Sequence, residues 1–198
     1  MPRAPRHLAS GEAYHLTSRG TNKCDVFLDD SDRRSFVRRL GTVALNRQVS
    51  CLAYCLMGNH IHLILRGSAT GMSETMRDLL GGHAQWFNAR HARSGHLFGA
   101  RYNDVHISSD AQMHAALRYV ALNPVRANLV NHPRDWPWGS FAAVTTGTVH
   151  PGAVDLVALA SILGSARADA DGVRERLLAT VDVGLSAARA DALVARAR

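Results

Sequence analysis

"CLAYCLMGNHIHLILR" (residues 51–66) is the stretch on which the fold turns. Its first half is apolar and rich in strand-favouring residues, Gly58-Asn59 punctuates it, and "HIHLIL" resumes the apolar run. That pattern predicts a β-hairpin. Side chains alternate along a strand, so His60 and His62 share one face while Ile61, Leu63 and Leu65 fill the other. Imidazole is a frequent metal ligand and a poor choice for an undirected core position.

Outward from the hairpin, "AYHLTSRG" (13–20) reads as a strand ending at Gly20. "DDSDRRSFVRRLGTVALNRQ" (29–48) opens with capping residues, and Phe36, Leu40, Val43 and Ala44 recur at helical spacing. "MSETMRDLLGGHAQWFNARHAR" (72–93) predicts a helix capped by Ser73 and weakened at Gly81-Gly82. "HLFGARYNDVHIS" (96–108) suits a last strand, and "SDAQMHAALRYVALNP" (109–124) a further helix with Met113, Ala116, Leu117 and Val120 on its apolar face. The order β-α-β-β-α-β-α predicts an α+β, ferredoxin-like βαββαβ sandwich with an added helix. Two helices then cover one sheet face, and His60 and His62 are expected on the other, open one.

The composition bounds the partners. The 198 residues suffice for one domain, and 46% hydrophobic residues for its core. No apolar run approaches the roughly 20 residues of a membrane span, and the first residues lack the apolar segment of a signal peptide. Cys24, Cys51 and Cys55 are an odd set. On one strand, Cys51 and Cys55 would lie about 13 Å apart, too far for a disulfide. A reducing cytoplasm is the simplest reading. Residues 1–150 carry 17 Lys and Arg against 10 Asp and Glu, whereas residues 151–198 carry 6 of each. Lys23 is the only lysine, and the planar guanidinium suits phosphate oxygens. A partner with many phosphates fits this excess, although a GC-rich coding sequence also enriches arginine.

The histidine pair admits four readings. Two hydrogen-bonded imidazoles at a sheet surface are the simplest. A structural zinc joining Cys51 and Cys55 requires C-x3-C-x4-H-x-H, which matches no usual zinc spacing. A two-histidine phosphodiesterase requires a second H-x-[ST] copy; "HLTS" (15–18) supplies one, but His62 is followed by Leu63 and Ile64. In the fourth, a divalent metal polarises a DNA phosphate for a nucleophile held elsewhere. Tyr119 is the best candidate nucleophile, because Ala115, one turn earlier, leaves space beside its phenol. Asn123, one turn later, offers an amide oxygen to the metal. With Pro124 after it, Asn123 can instead end the helix or cap a new one. Trp136 and Trp138 can stack on bases, though packing on the sheet edge suits them better.

"YHLTSRGTNKCDVFLDDSDRRSFVRRL", "AYCLMGNHIHLIL", "GHLFGARY" and "RYVALNPVRANLVNHPRDWPWGSF", in this order, resemble the HUH single-strand transposases with one catalytic tyrosine. The resemblance is to the REP-associated tyrosine transposases and insertion-sequence-200-like proteins, over roughly residues 13–145. It implies a ferredoxin-like fold, with Tyr119 as nucleophile and His60, His62 and Asn123 as ligands of Mg²⁺ or Mn²⁺. Neutral imidazoles suit Mn²⁺ better. It implies cleavage and rejoining of single-stranded DNA beside hairpins, through a 5′-phosphotyrosine and a free 3′-hydroxyl. Tyr119 would act in cis or across a homodimer. The alternative is a non-catalytic hairpin-binding protein derived from a transposase. Gly58 stands where the family usually has proline, which predicts a looser turn before the metal motif. Arg19, Arg66, Arg101 and Arg118 are candidates for holding phosphates. The implied organisation is an N-terminal arm (1–12), a catalytic domain (13–145) and an Ala-rich helical extension (146–198) of a bacterial cytoplasmic protein, nucleoid-associated when active.

Overall fold

The alternation read in the hairpin becomes two paired strands, with Ile61, Leu63 and Leu65 wholly inaccessible on one face of the second. The computed structural model describes residues 8–167 and 169–196; residues 1–7 of the expected N-terminal arm and the last two residues of the extension lie outside the described residues. The strands are β1 (Ala13–Arg19), β2 (Ser50–Leu56), β3 (His60–Arg66) and β4 (Asn103–Ile107). The helices are α1 (Asp30–Asn46), α2 (Ala69–Arg90), α3 (Asp110–Arg126), α4 (Ser140–Thr146), α5 (Leu156–Ile162) and α6 (Ala170–Arg196). All strand pairs are antiparallel, in the order β2-β3-β1-β4. This is the ferredoxin-like arrangement expected, with β1 and β3 at the centre.

Local chemistry sets the helix ends. Asp29 caps α1 by accepting from the amides of Ser31 and Asp32, and Asp32 reaches back to the Asp29 amide. Asp32 is fully buried and receives Arg90 and His91 from the end of α2, at 2.6 and 3.0 Å, which ties the two helices together. Helix α2 begins at Ala69 with Ser68 as its cap, one turn before the expected Ser73. It also runs unbroken through Gly81-Gly82. The Arg39 guanidinium lies so near the Gly82 backbone that a Cβ there would sit 2.4 Å from its Nη1, so this glycine allows close helix approach. The last strand is shorter than expected: residues 96–102 form a connection in which Leu97 accepts from the Thr21 amide and Phe98 bridges to Gly20.

The second sheet face is not left open. Helix α3 crosses it, touching β2, β3 and β4, and the extension covers α3 in turn. Val173, Leu177 and Val181 of α6 are buried, so the Ala-rich segment packs on the domain. This packing also explains why α3 continues past Pro124 to Arg126. Proline forfeits one helical hydrogen bond, but Leu122 and Val125 are buried around it and hold the last turn in place. Trp136 donates its indole N–H to the Leu56 carbonyl, and the Leu56 amide donates to Trp138, so "DWPWG" seals the β2 edge. The Arg33 guanidinium lies over both indoles, within about 6 Å of each ring centre.

Gly41 of α1 gives a packing test. A Cβ there would lie 2.3 Å from the Pro151 carbonyl oxygen, in backbone that cannot swing aside. Gly41→Val is expected to destabilise the protein by about 1–3 kcal/mol, read as a lower urea midpoint; an unchanged midpoint would mean the 150–153 segment does not seat on α1.

Candidate active site

The site is built where β1, β3 and α3 meet. In the antiparallel register Thr17 lies opposite His62 and Arg19 opposite His60, so His15, Thr17 and Arg19 share the histidine face. From above, α3 lowers Tyr119 so that its ring meets those of His15 and His62 edge-on, each with centroids 5.6 Å apart. His60 Nδ1 donates to the Asn59 side-chain oxygen at 2.7 Å. That leaves its Nε2 with a lone pair. His62 Nδ1 and His15 Nε2 share a hydrogen bond of 3.0 Å, while His62 Nε2 is buried with no protein partner. The Asn123 side chain lies close to both His60 and His62. Its amide N–H also donates to the Tyr119 carbonyl one turn back.

These donors suit a divalent cation. A buried imidazole nitrogen without a partner beside a second free imidazole nitrogen and an amide is a nitrogen–oxygen set open on one side. Among the described residues no three His, Cys, Asp or Glu side chains form a group that could hold a metal ion. The cysteines take no part. A bulge between Cys51 and Ala53 puts Cys51 opposite Leu65 and Cys55 opposite His62, on different sheet faces. Burial pushes both thiols up to about 12, which keeps them protonated.

The electrostatics agree. Burial pushes His60 down to about 4; burial, aided by the neighbouring imidazoles, pushes His62 down to about 3, and Arg19 adds repulsion at both. Burial lowers His15 as well. All three rings are neutral at pH 7, as metal ligation requires. This has a stability consequence. An unfolded histidine binds its proton near pH 6.5, whereas folded His62 refuses it until about pH 3. The unfolded state therefore binds more protons across that window, and stability falls as pH falls. In EDTA, His62 alone is expected to lower the unfolding free energy by about 2 kcal/mol between pH 7 and 5. Buried His83, lowered mainly by desolvation, acts in the same direction. Urea midpoints at pH 7, 6 and 5 measure this, and a flat profile would contradict it.

Residues 9–123, more than half of the chain, match the family model described as "Transposase IS200 like". The chain belongs to the IS200-like transposase family. Among solved structures, this transposase is similar to a REP-associated tyrosine transposase bound to a REP hairpin, at TM-score 0.62 and 18% identity, over 76% of this chain and 89% of that one. That likeness carries the fold. A Deinococcus radiodurans protein with a provisional transposase assignment aligns over 58% of this chain and 92% of its own, at 16% identity and TM-score 0.40, too low to bear on the fold. No curated protein matches the chain. Among the described residues no helix of this transposase is long and apolar enough to cross a membrane.

The transposase's cleft, about 620 Å³, is lined by His60, His62 and Tyr119 together with Arg19 and Arg101. The other two candidate arginines lie elsewhere. Arg66 ends β3, six residues and roughly 20 Å from His60, and donates to the Gly11 carbonyl. Arg118 precedes Tyr119, and adjacent helical residues point in different directions; its stem lies beside Gly184 of α6. The turn at Gly58 is held by the Val26 and Phe27 amides, which both donate to its carbonyl. Sequence reading took His15 and Thr17 only as a possible second H-x-[ST] copy and Asn59 only as a turn residue, and missed Asn103. The signal for His15 was its two-residue spacing from Thr17 and Arg19, but only the β1–β3 register shows that this face meets His62.

Proposed function

We propose that this transposase cleaves and rejoins single-stranded DNA beside hairpins, with Tyr119 as nucleophile and His60, His62 and Asn123 holding Mg²⁺ or Mn²⁺. The observation that carries the reading is the buried, unpartnered Nε2 of His62 beside the Tyr119 ring. A bound divalent cation would withdraw charge from a non-bridging phosphate oxygen. The chain's own residues do the rest. Arg19 and Arg101 line the cleft and supply guanidinium groups to the backbone phosphates on either side of the cut. Helix α3, clamped between sheet and α6, holds the phenol ring against the histidines. The Arg126 guanidinium lies over the Tyr119 ring, 5.2 Å from its centre, and holds that face of the ring.

In the cleavage step the Tyr119 oxygen bonds to phosphorus and the bond to the 3′ oxygen breaks. The phenol proton passes to the departing oxygen, directly or through solvent. The products are a 5′-phosphotyrosine and a free 3′-hydroxyl, and reversal of the step rejoins the strand without ATP. A REP hairpin bound to the similar solved transposase supports a hairpin partner here. The test incubates the protein with labelled hairpin DNA from the regions flanking its own gene, plus Mn²⁺, and reads a denaturant-resistant protein–DNA adduct. A metal-dependent adduct is expected; tight hairpin binding without an adduct under any metal would make the protein a binding module.

A further inference from the structure

We infer that His15 is a positioning residue: as an acceptor it fixes the ring orientation and tautomer of His62, and so aims the His62 Nε2 lone pair into the cleft. The inference deepens the proposed reading and rests on its metal site. A neutral imidazole carries one N–H and one lone pair, and the bond made by one nitrogen decides the state of the other. His62 Nδ1 faces His15 Nε2 at 3.0 Å, and only two arrangements of that contact are possible. If His15 donates, His62 Nε2 bears a hydrogen, and a donor is buried with nothing to receive it. If His62 donates, His62 Nε2 bears a lone pair, and a ligand atom is buried beside Asn123 and Tyr119. The second arrangement alone gives the buried nitrogen a use.

The surroundings reinforce it. His60 is held in the matching state by Asn59 Oδ1, which can only accept. The two ligand rings thus have the same design, an acceptor behind Nδ1 and a free Nε2 in front. His15 adds something Asn59 does not. Its ring stacks with His62 at 5.2 Å and meets Tyr119 edge-on at 5.6 Å. One side chain therefore touches both the ligand and the nucleophile, and sets their relative placement.

Three variants and three readouts test this. His15→Phe keeps the ring and removes the acceptor; His15→Gln places an amide oxygen near the former Nε2; Arg66→Gln is a control outside the cleft. Long-range ¹H–¹⁵N correlation spectra of the metal-free protein should show His62 protonated at Nδ1 and His15 unprotonated at Nε2. Mn²⁺ titration by calorimetry should show affinity about 10- to 100-fold weaker for His15→Phe, largely restored in His15→Gln and unchanged in Arg66→Gln. Melting temperatures distinguish a folding defect, which would lower Phe and Gln alike, from lost orientation. The inference is overturned if His62 proves protonated at Nε2, or if wild type binds Mn²⁺ and His15→Phe binds it equally well. If wild type binds no Mn²⁺ and forms no adduct, the proposed function falls, and this inference with it.

Discussion

Tyr119→Phe is expected to abolish the covalent protein–DNA adduct and to lower strand cleavage at least about 10³-fold, while hairpin binding and stability stay close to wild type. Replacement removes one oxygen from a ring that is 43% exposed. Changes at such surfaces usually alter stability by no more than about 0.5 kcal/mol. The ring contacts with His15 and His62 survive in phenylalanine. No other tyrosine can take over: Tyr14, Tyr54 and Tyr102 are buried. Burial also pushes the Tyr54 phenol above its usual value, which makes it a poorer nucleophile. The measurement is a denaturing gel of labelled hairpin DNA, with binding followed by fluorescence anisotropy. An adduct persisting in Tyr119→Phe would place the nucleophile elsewhere.

His60→Ala combined with His62→Ala should eliminate Mn²⁺ binding and depress adduct formation by about 10²–10³-fold, with hairpin affinity in metal-free buffer little changed. The two rings contribute differently. His60 lies at the start of β3, half-buried and backed by Asn59, so its truncation is expected to remove a ligand of the proposed metal and little packing. His62 is 5% exposed and packs against His15 and His60, so its truncation also leaves a void under α3. A melting curve for each single variant separates the effects: a lower midpoint is expected for His62→Ala, and little change for His60→Ala. Calorimetric Mn²⁺ titration reads the ligand role directly. Unimpaired Mn²⁺ binding in the double variant would remove these histidines from the metal site.

Much of the architecture was legible along the chain because it rests on local periodicity. The hairpin followed from an apolar run broken at Gly58-Asn59, and α1 from its acidic cap and helical spacing. The misreadings have a common source. Ser73 and Gly81-Gly82 carry sensible local signals, yet α2 starts at Ala69, capped by Ser68, and runs through both glycines, because its buried face includes Met72, Met76 and Leu79 and a glycine lets Arg39 close in. Pro124 reads as a stop, yet α6 packing carries α3 past it. Tertiary burial outweighed a propensity of about 1 kcal/mol in one case and one lost hydrogen bond in the other.

By itself, the sequence determined that His60 and His62 share a strand face, because a strand repeats every two residues. It also determined that Tyr119 and Asn123 share a helix face, because a helix turns every 3.6 residues. What it could not determine is the register of β1 against β3 and how α3 crosses the sheet, since both depend on contacts between residues far apart in the chain. Only the tertiary structure placed His15 behind His62 and Arg126 over Tyr119, and set Arg66 and Arg118 outside the cleft. Periodicity settles which side chains of one element point the same way; burial of the whole core settles which elements face each other.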